Sequence, residues 1–222
     1  MNAPDHYTKP DLTKIALITI DVQRDFLDDG VCAIPGTTAV LPSIAKLLST
    51  FRSARLPIVH VVRVYKVDGS NVDPCRRTVV ESGKAIVQPG KRGIQLAEAL
   101  TPNGSGLLDA ELLLTGALQQ LGELEWVMYK PRWGAFYQTH LEDHLRSLGV
   151  TTLAFTGCNF PNCPRTSVYE ASERDFRVVF VDDAISGVYE RGKDELRNIG
   201  VSITSSNELS AAISQALNRL PA

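Results

Sequence analysis

The sequence predicts an α/β chain, a three-layer Rossmann-like fold with a parallel sheet of about six strands and helices on both faces. Three observations carry this prediction. Apolar runs such as Lys14 to Ile20 and Thr151 to Thr156 read as strands buried on both sides. Between such runs lie segments whose apolar residues recur at helical spacing, so strand and helix alternate along the chain. With 222 residues, 44% of them hydrophobic, the chain can bury one ordinary core, and a single domain over 1–222 is expected.

Taken in order, Lys14 to Ile20 is the first strand and ends at Asp21-Val22-Gln23-Arg24-Asp25-Phe26. Asp28-Asp29-Gly30 turns the chain, and Val40, Ile44, Leu47, Leu48 and Phe51 predict a helix toward Ala54. Leu56 to Val64 is a second buried strand, with Pro57 at its start, where a missing N–H is tolerated. From about 65 to 107 the periodicity fails. Asp68-Gly69-Ser70, Asp73-Pro74, Gln88-Pro89-Gly90 and Pro102-Asn103-Gly104-Ser105-Gly106 are turn signals, and an irregular insertion of this length is expected to be a lid or a subunit contact. Asp109 to Leu121 reads as helical, and Glu125 to Tyr129 as a short strand ending at Lys130. Thr139 and Glu142 have capping-box spacing ahead of Leu141, Leu145 and Leu148, and Gly149 closes that helix. The Thr151 to Thr156 strand leads through Gly157 and a polar turn to a helix over Pro164 to Asp175, then to a strand over Arg177 to Val181. A helix over Asp194 to Asn198, a strand over Val201 to Thr204 and a helix capped by Ser205 and Glu208 complete the reading.

The net charge of −2 offers no basic footprint, so no nucleic-acid partner is expected. Met1 to Asp11 is polar, and no apolar run reaches the roughly 20 residues of a membrane span, so no membrane partner and a cytoplasmic location are expected. Cys32, Cys75, Cys158 and Cys163 are expected as free thiols. The spacing of Cys158 and Cys163 fits neither a zinc finger nor a C-x-x-C redox pair, and no metal or other cofactor is expected.

Asp21, Lys130 and Cys163 each follow a predicted strand, and right-handed crossovers bring those strand ends to one edge of the sheet, where open α/β sheets bind ligands. Cys163 also opens a helix, whose first-turn N–H groups and dipole favour a thiolate. Together they suit a nucleophile, a proton acceptor and an electrostatic partner. Singly, each has a structural alternative: Cys163 as a small buried hydrophobe, Asp21 as a turn residue, Lys130 as a surface charge. Phe26, Trp133 and Tyr137 flank these positions and suit either a stacking wall for a small planar substrate or packing at strand ends. Arg63, Arg76, Arg77, Arg92 and Arg132 are candidates for a carboxylate clamp, with Arg132 favoured for its nearness to Lys130.

Ile20-Asp21-Val22-Gln23 through Phe26, Lys130-Pro131-Arg132-Trp133-Gly134-Ala135-Phe136, Thr156-Gly157 through Cys163, and Asp183-Ala184 together resemble the isochorismatase-like cysteine hydrolase superfamily. The resemblance covers most of residues 14 to 204 and is faintest between 65 and 125. It implies a catalytic triad of Asp21 as acid/base, Lys130 as electrostatic partner and Cys163 as nucleophile. It further implies a cis peptide at Cys158-Asn159, with the N–H groups of Asn159 and Cys163 forming an oxyanion hole, and a homo-oligomer, dimer or tetramer. Nicotinamidases of the superfamily bind a metal through an Asp-x-His and further histidines near the second strand, where this chain has only His60. Isochorismatases proper lack the nucleophilic cysteine, so Cys163 points to hydrolysis of a C–N bond in a small amide, carbamoyl or ureido compound through a thioester. The alternative is a non-catalytic, ligand-binding or oligomeric member of the same fold. Asn159 to Asn162 and Pro164-Arg165 depart from the usual pattern, and Arg165 suits either a substrate contact or pairing with Glu170, Asp182 or Asp183.

Overall fold

The computed structural model describes residues 5–102 and 104–219. The first four residues of the polar N-terminal stretch and Asn103 of the Pro102 to Gly106 turn lie outside them. The strands are β1 Ile15–Ile20, β2 Ile58–Val62, β3 Gln119–Gly122, β4 Glu125–Tyr129, β5 Thr152–Gly157, β6 Arg177–Ile185 and β7 Ser202–Thr204. The helices are α1 Leu41–Ser53, α2 Pro74–Glu81, α3 Ala110–Leu114, α4 Leu141–Ser147, α5 Cys163–Ser172, α6 Glu190–Asn198 and α7 Ser206–Leu217. No helix among the described residues is long and apolar enough to cross a membrane.

The sheet runs β3-β4-β2-β1-β5-β6-β7, and all pairs are parallel except β3 with β4. Alternation along β1 builds both cores. Ile15 and Leu17 meet Leu47, Leu48 and Phe51 of α1 and Leu209 and Ile213 of α7 on one face. Ala16, Ile18 and Ile20 meet Leu141 and Leu145 of α4, Val168 and Ala171 of α5 and Leu196 of α6 on the other. The chain builds outward from β1 through β2 to β4, then returns to β1's other side with β5. That reversal opens a crevice beyond the C-terminal ends of β1 and β5, the usual ligand position in such sheets.

The expected parallel sheet of about six strands with helices on both faces is present, with β3 added as a seventh, antiparallel edge strand. The helix expected over Asp109 to Leu121 stops at Leu114, because Gly116 enters the left-handed region at φ +89 and ends it. Gln119–Gly122 then folds back as the edge strand β3. Its start is as expected of a short polar residue: the Asp109 carboxylate accepts the Leu112 N–H at 3.0 Å. The Thr139/Glu142 capping box does not form. Thr139 Oγ1 donates to the Ala135 carbonyl at 2.6 Å, and the Glu142 carboxylate faces Arg146 and Arg174. The Ser205/Glu208 box forms in full, with Ser205 N–H donating to Glu208 at 2.9 Å.

Residues 65–107 are irregular apart from α2 and two single 3-10 turns, and α2 buries none of its residues. The segment is nonetheless tied to the strand ends. Gln23 donates its amide to the carbonyls of Arg63 at 2.8 Å and Ile94 at 2.7 Å, and Asp25 accepts the Val87 N–H at 2.6 Å. Tyr65, Val72, Ile86 and Val87 close over Phe26 and Cys158 in a small third cluster.

Candidate active site

Three strand ends converge in the crevice. The chain leaves β1 at Asp21, which adopts φ +53, a conformation that Asp tolerates better than most residues. Its backbone is fixed by donation from its N–H to Val61 at 2.9 Å. Lys130, immediately after β4, is fully buried and places Nζ 2.8 Å from Asp21 Oδ2. The same ammonium donates to the Arg132 carbonyl at 3.2 Å. The other Asp21 oxygen, Oδ1, is buried without a hydrogen-bond partner among the described residues. A buried carboxylate oxygen left open in this way is costly unless something else uses it.

After β5, Gly157 at φ +122 lies so close to β1 that a Cβ would stand 2.2 Å from the Ile20 carbonyl oxygen. The peptide Cys158-Asn159 is cis, as the resemblance implies. Cys163 is the first residue of α5 and Pro164 the second, where a proline's missing N–H costs no intrahelical bond. Among the described residues, neither the Asn159 nor the Cys163 N–H finds an acceptor. Burial pushes the Cys163 thiol up, with Asp21 adding to the rise and Lys130 and Arg63 opposing it without cancelling it. This direction opposes the pull of the helix start toward a thiolate.

The cleft is narrow, with only about 10 Å³ of free volume. It is lined by Asp21, Cys158, Asn159, Asn162 and Cys163, by the apolar surfaces of Phe26, Ile34, Tyr65 and Trp133, and by Arg63 and Arg76. Phe26 and Trp133 thus stand where the sequence suggested. Tyr137 does not: it is 47% exposed and lines no part of the cleft. Phe136 turns inward instead, its N–H held by Glu170 at 2.8 Å, which sends the next side chain outward.

Of the candidate arginines, Arg132 donates to the carbonyls of Pro131 and Asn71 and braces the loop, while Arg77 and Arg92 are exposed. Arg63 closes β2 and brings Nη2 to 3.7 Å from Cys163 Sγ, while Asp73 pairs with its guanidinium. Tyr65 donates its hydroxyl to the same Asp73 at 2.8 Å. Sequence reasoning ranked Arg132 above Arg63 and missed Tyr65, Asp73 and Ile34. The rule that strand ends carry the site would have promoted Arg63, since it follows β2 as Asp21 follows β1. Arg165 pairs with Glu195 of α6 and donates to Tyr169 at 3.1 Å, so none of its three suggested acidic partners is used.

His60 and His144 have partners within the fold. His60 is wholly buried, with Nδ1 2.8 Å from Thr19 Oγ1 and Nε2 2.8 Å from Glu125, so both ring nitrogens are engaged within the fold. His144 packs edge-on against Trp126 at 4.5 Å between ring centroids. Among the described residues, no group of three His, Cys, Asp or Glu side chains is arranged to hold a metal ion.

Comparison with known proteins bears on the family and the fold. The family model of the isochorismatase domain matches residues 15–108 and 111–208. A "probable inactive nicotinamidase" of Arabidopsis thaliana is 28% identical over 88% of this chain and 94% of its own length. A ureidoacrylate amidohydrolase of Methylobacterium radiotolerans is 27% identical over 76% of this chain, which spans 65% of that protein. Among solved structures, an isochorismatase family protein from Desulfovibrio vulgaris superposes with a TM-score of 0.77 at 29% identity, covering 90% of this chain and 98% of that one. Fold and matched span agree, and the chain belongs to the isochorismatase family of hydrolases.

Proposed function

We propose that the protein is a cysteine amidohydrolase that cleaves a C–N bond in a small amide, carbamoyl or ureido compound. The observation that supports this best is the open Asp21 Oδ1, an acceptor in the same cleft as the Cys163 thiol. Attack by a thiol needs a base at hand. Asp21 takes the proton as Cys163 Sγ bonds to the carbonyl carbon, and the N–H groups of Asn159 and Cys163 receive the oxyanion. Protonated Asp21 gives its proton to the leaving nitrogen, the C–N bond breaks, and ammonia or an amine departs, leaving a thioester. Asp21 then draws a proton from water as that water attacks the thioester carbon, and passes it to the Cys163 sulfur as the C–S bond breaks, which frees the acid and restores the starting state. Lys130 orients the Asp21 carboxylate and supplies the opposite charge throughout.

A second reading has its own support, since one relative is described as inactive. In it, the same cleft binds a small molecule without turnover. Ammonia release from ureido acids, N-carbamoyl amino acids, biuret and nicotinamide separates the two, with Cys163→Ala as the control.

A further inference from the structure

We propose that the molecule bound in this cleft carries a carboxylate and that Arg76 binds it; only the fate of the bound molecule rests on the hydrolase reading above. The argument is a count of charges. Lys130 is matched by Asp21 at 2.8 Å, and Arg63 by Asp73. Arg76 lines the same cleft from α2, is half-buried, and meets no carboxylate among the described residues. Its recorded contact is Nη1 to Cys32 Sγ at 3.4 Å. Of these three cations, Arg76 alone has no carboxylate partner. A guanidinium partly withdrawn from water among the apolar walls of Phe26, Ile34 and Trp133 is stabilised by an anion that can take its paired donors. Arg63 Nη2 lies 3.7 Å from Cys163 Sγ, so the charged side of the cleft begins beside the sulfur. A molecule with its carbonyl at Cys163 and its carboxylate at Arg76 is then a small amido or ureido acid, not a neutral amide.

The test uses two alkylating agents of similar size on the folded full chain. Iodoacetate is anionic and iodoacetamide neutral, and modification of Cys163 is followed by peptide mass spectrometry. The wild-type rate ratio of iodoacetate to iodoacetamide at Cys163 is expected at least tenfold above the ratio for glutathione in the same buffer. Arg76→Met brings the ratio down to that of glutathione, Arg76→Lys retains part of it, and the exposed neighbour variant Arg77→Met keeps the wild-type value. Should Arg76→Met not fold, Arg76→Gln takes its place. A wild-type ratio equal to that of glutathione, or one that survives loss of the Arg76 charge, overturns the proposal. Ammonia release from N-carbamoylglycine and from its neutral amide separates the two ideas. Equal kcat/KM on both overturns the carboxylate site and leaves the hydrolase reading standing. No release from either, with the alkylation ratio intact, supports the anion site and counts against hydrolysis.

Discussion

At the scale of single residues, Asp21 and Lys130 define the energetics of the site. Both are almost fully buried, and each is the other's counter-charge at 2.8 Å. Removing one partner of such a pair strands a charge in the interior, which costs about 3–5 kcal/mol, whereas removing both leaves nothing stranded. Lys130→Met is therefore expected to destabilise the fold by that amount, and Asp21→Asn with Lys130→Met to recover most of it. Urea unfolding of the two single variants and the double variant measures this directly; equal, additive losses would show that the pair does not interact. These two residues and Cys163 were legible in the sequence because each ends a strand or opens a helix, and topology sends such positions to one edge. Arg63 was only one of five candidate arginines, and its partner Asp73 was missed, because their pairing joins β2 to an insertion with no periodicity to read.

At the scale of elements, Glu125 links three of them. It begins β4, accepts from Arg52 of α1 at 2.8 and 2.7 Å, and meets His60 of β2 at 2.8 Å. Burial alone would raise its pKa, but the Arg52 and His60 hydrogen bonds hold it down at about 2. A carboxylate depressed in the folded state stabilises fully above its unfolded value near 4.3 and loses that contribution as pH falls through the folded value. Glu125→Gln is expected to cost about 3 kcal/mol at pH 7, with the gap to wild type closing between about pH 5 and pH 2. Denaturant unfolding across that range checks it, and a gap independent of pH would refute the assignment. Gly157 ties β5 to β1 by contact, and Gly157→Ala pushes a Cβ onto the Ile20 carbonyl. Its expected loss exceeds about 3 kcal/mol, read as a large drop in the melting midpoint. The long central strands and α1 were evident from their apolar runs. The edge strand β3 was not, since Gln119-Gln120-Leu121-Gly122 is polar and half-exposed and takes its strand character from pairing with β4.

At the scale of the whole molecule, reversal of strand order at β1 creates the crevice, and the 65–107 segment walls it with Tyr65 and Arg76. The sheet edge was predictable from alternation alone. The insertion's fold was not, because its contacts run to Gln23 and Asp25 rather than within itself. Placing a thiol, an open carboxylate oxygen and two unengaged N–H donors in one cleft is the arrangement on which the proposed chemistry depends. Its most direct test is ammonia release from a panel of ureido acids, N-carbamoyl amino acids and small amides by wild type and Cys163→Ala, with circular dichroism confirming that the variant is folded. The account predicts turnover of at least one compound by wild type and a loss of about a thousandfold or more in the variant. Wild-type rates from folded Cys163→Ala, or no release from any compound by the wild-type protein, would contradict it.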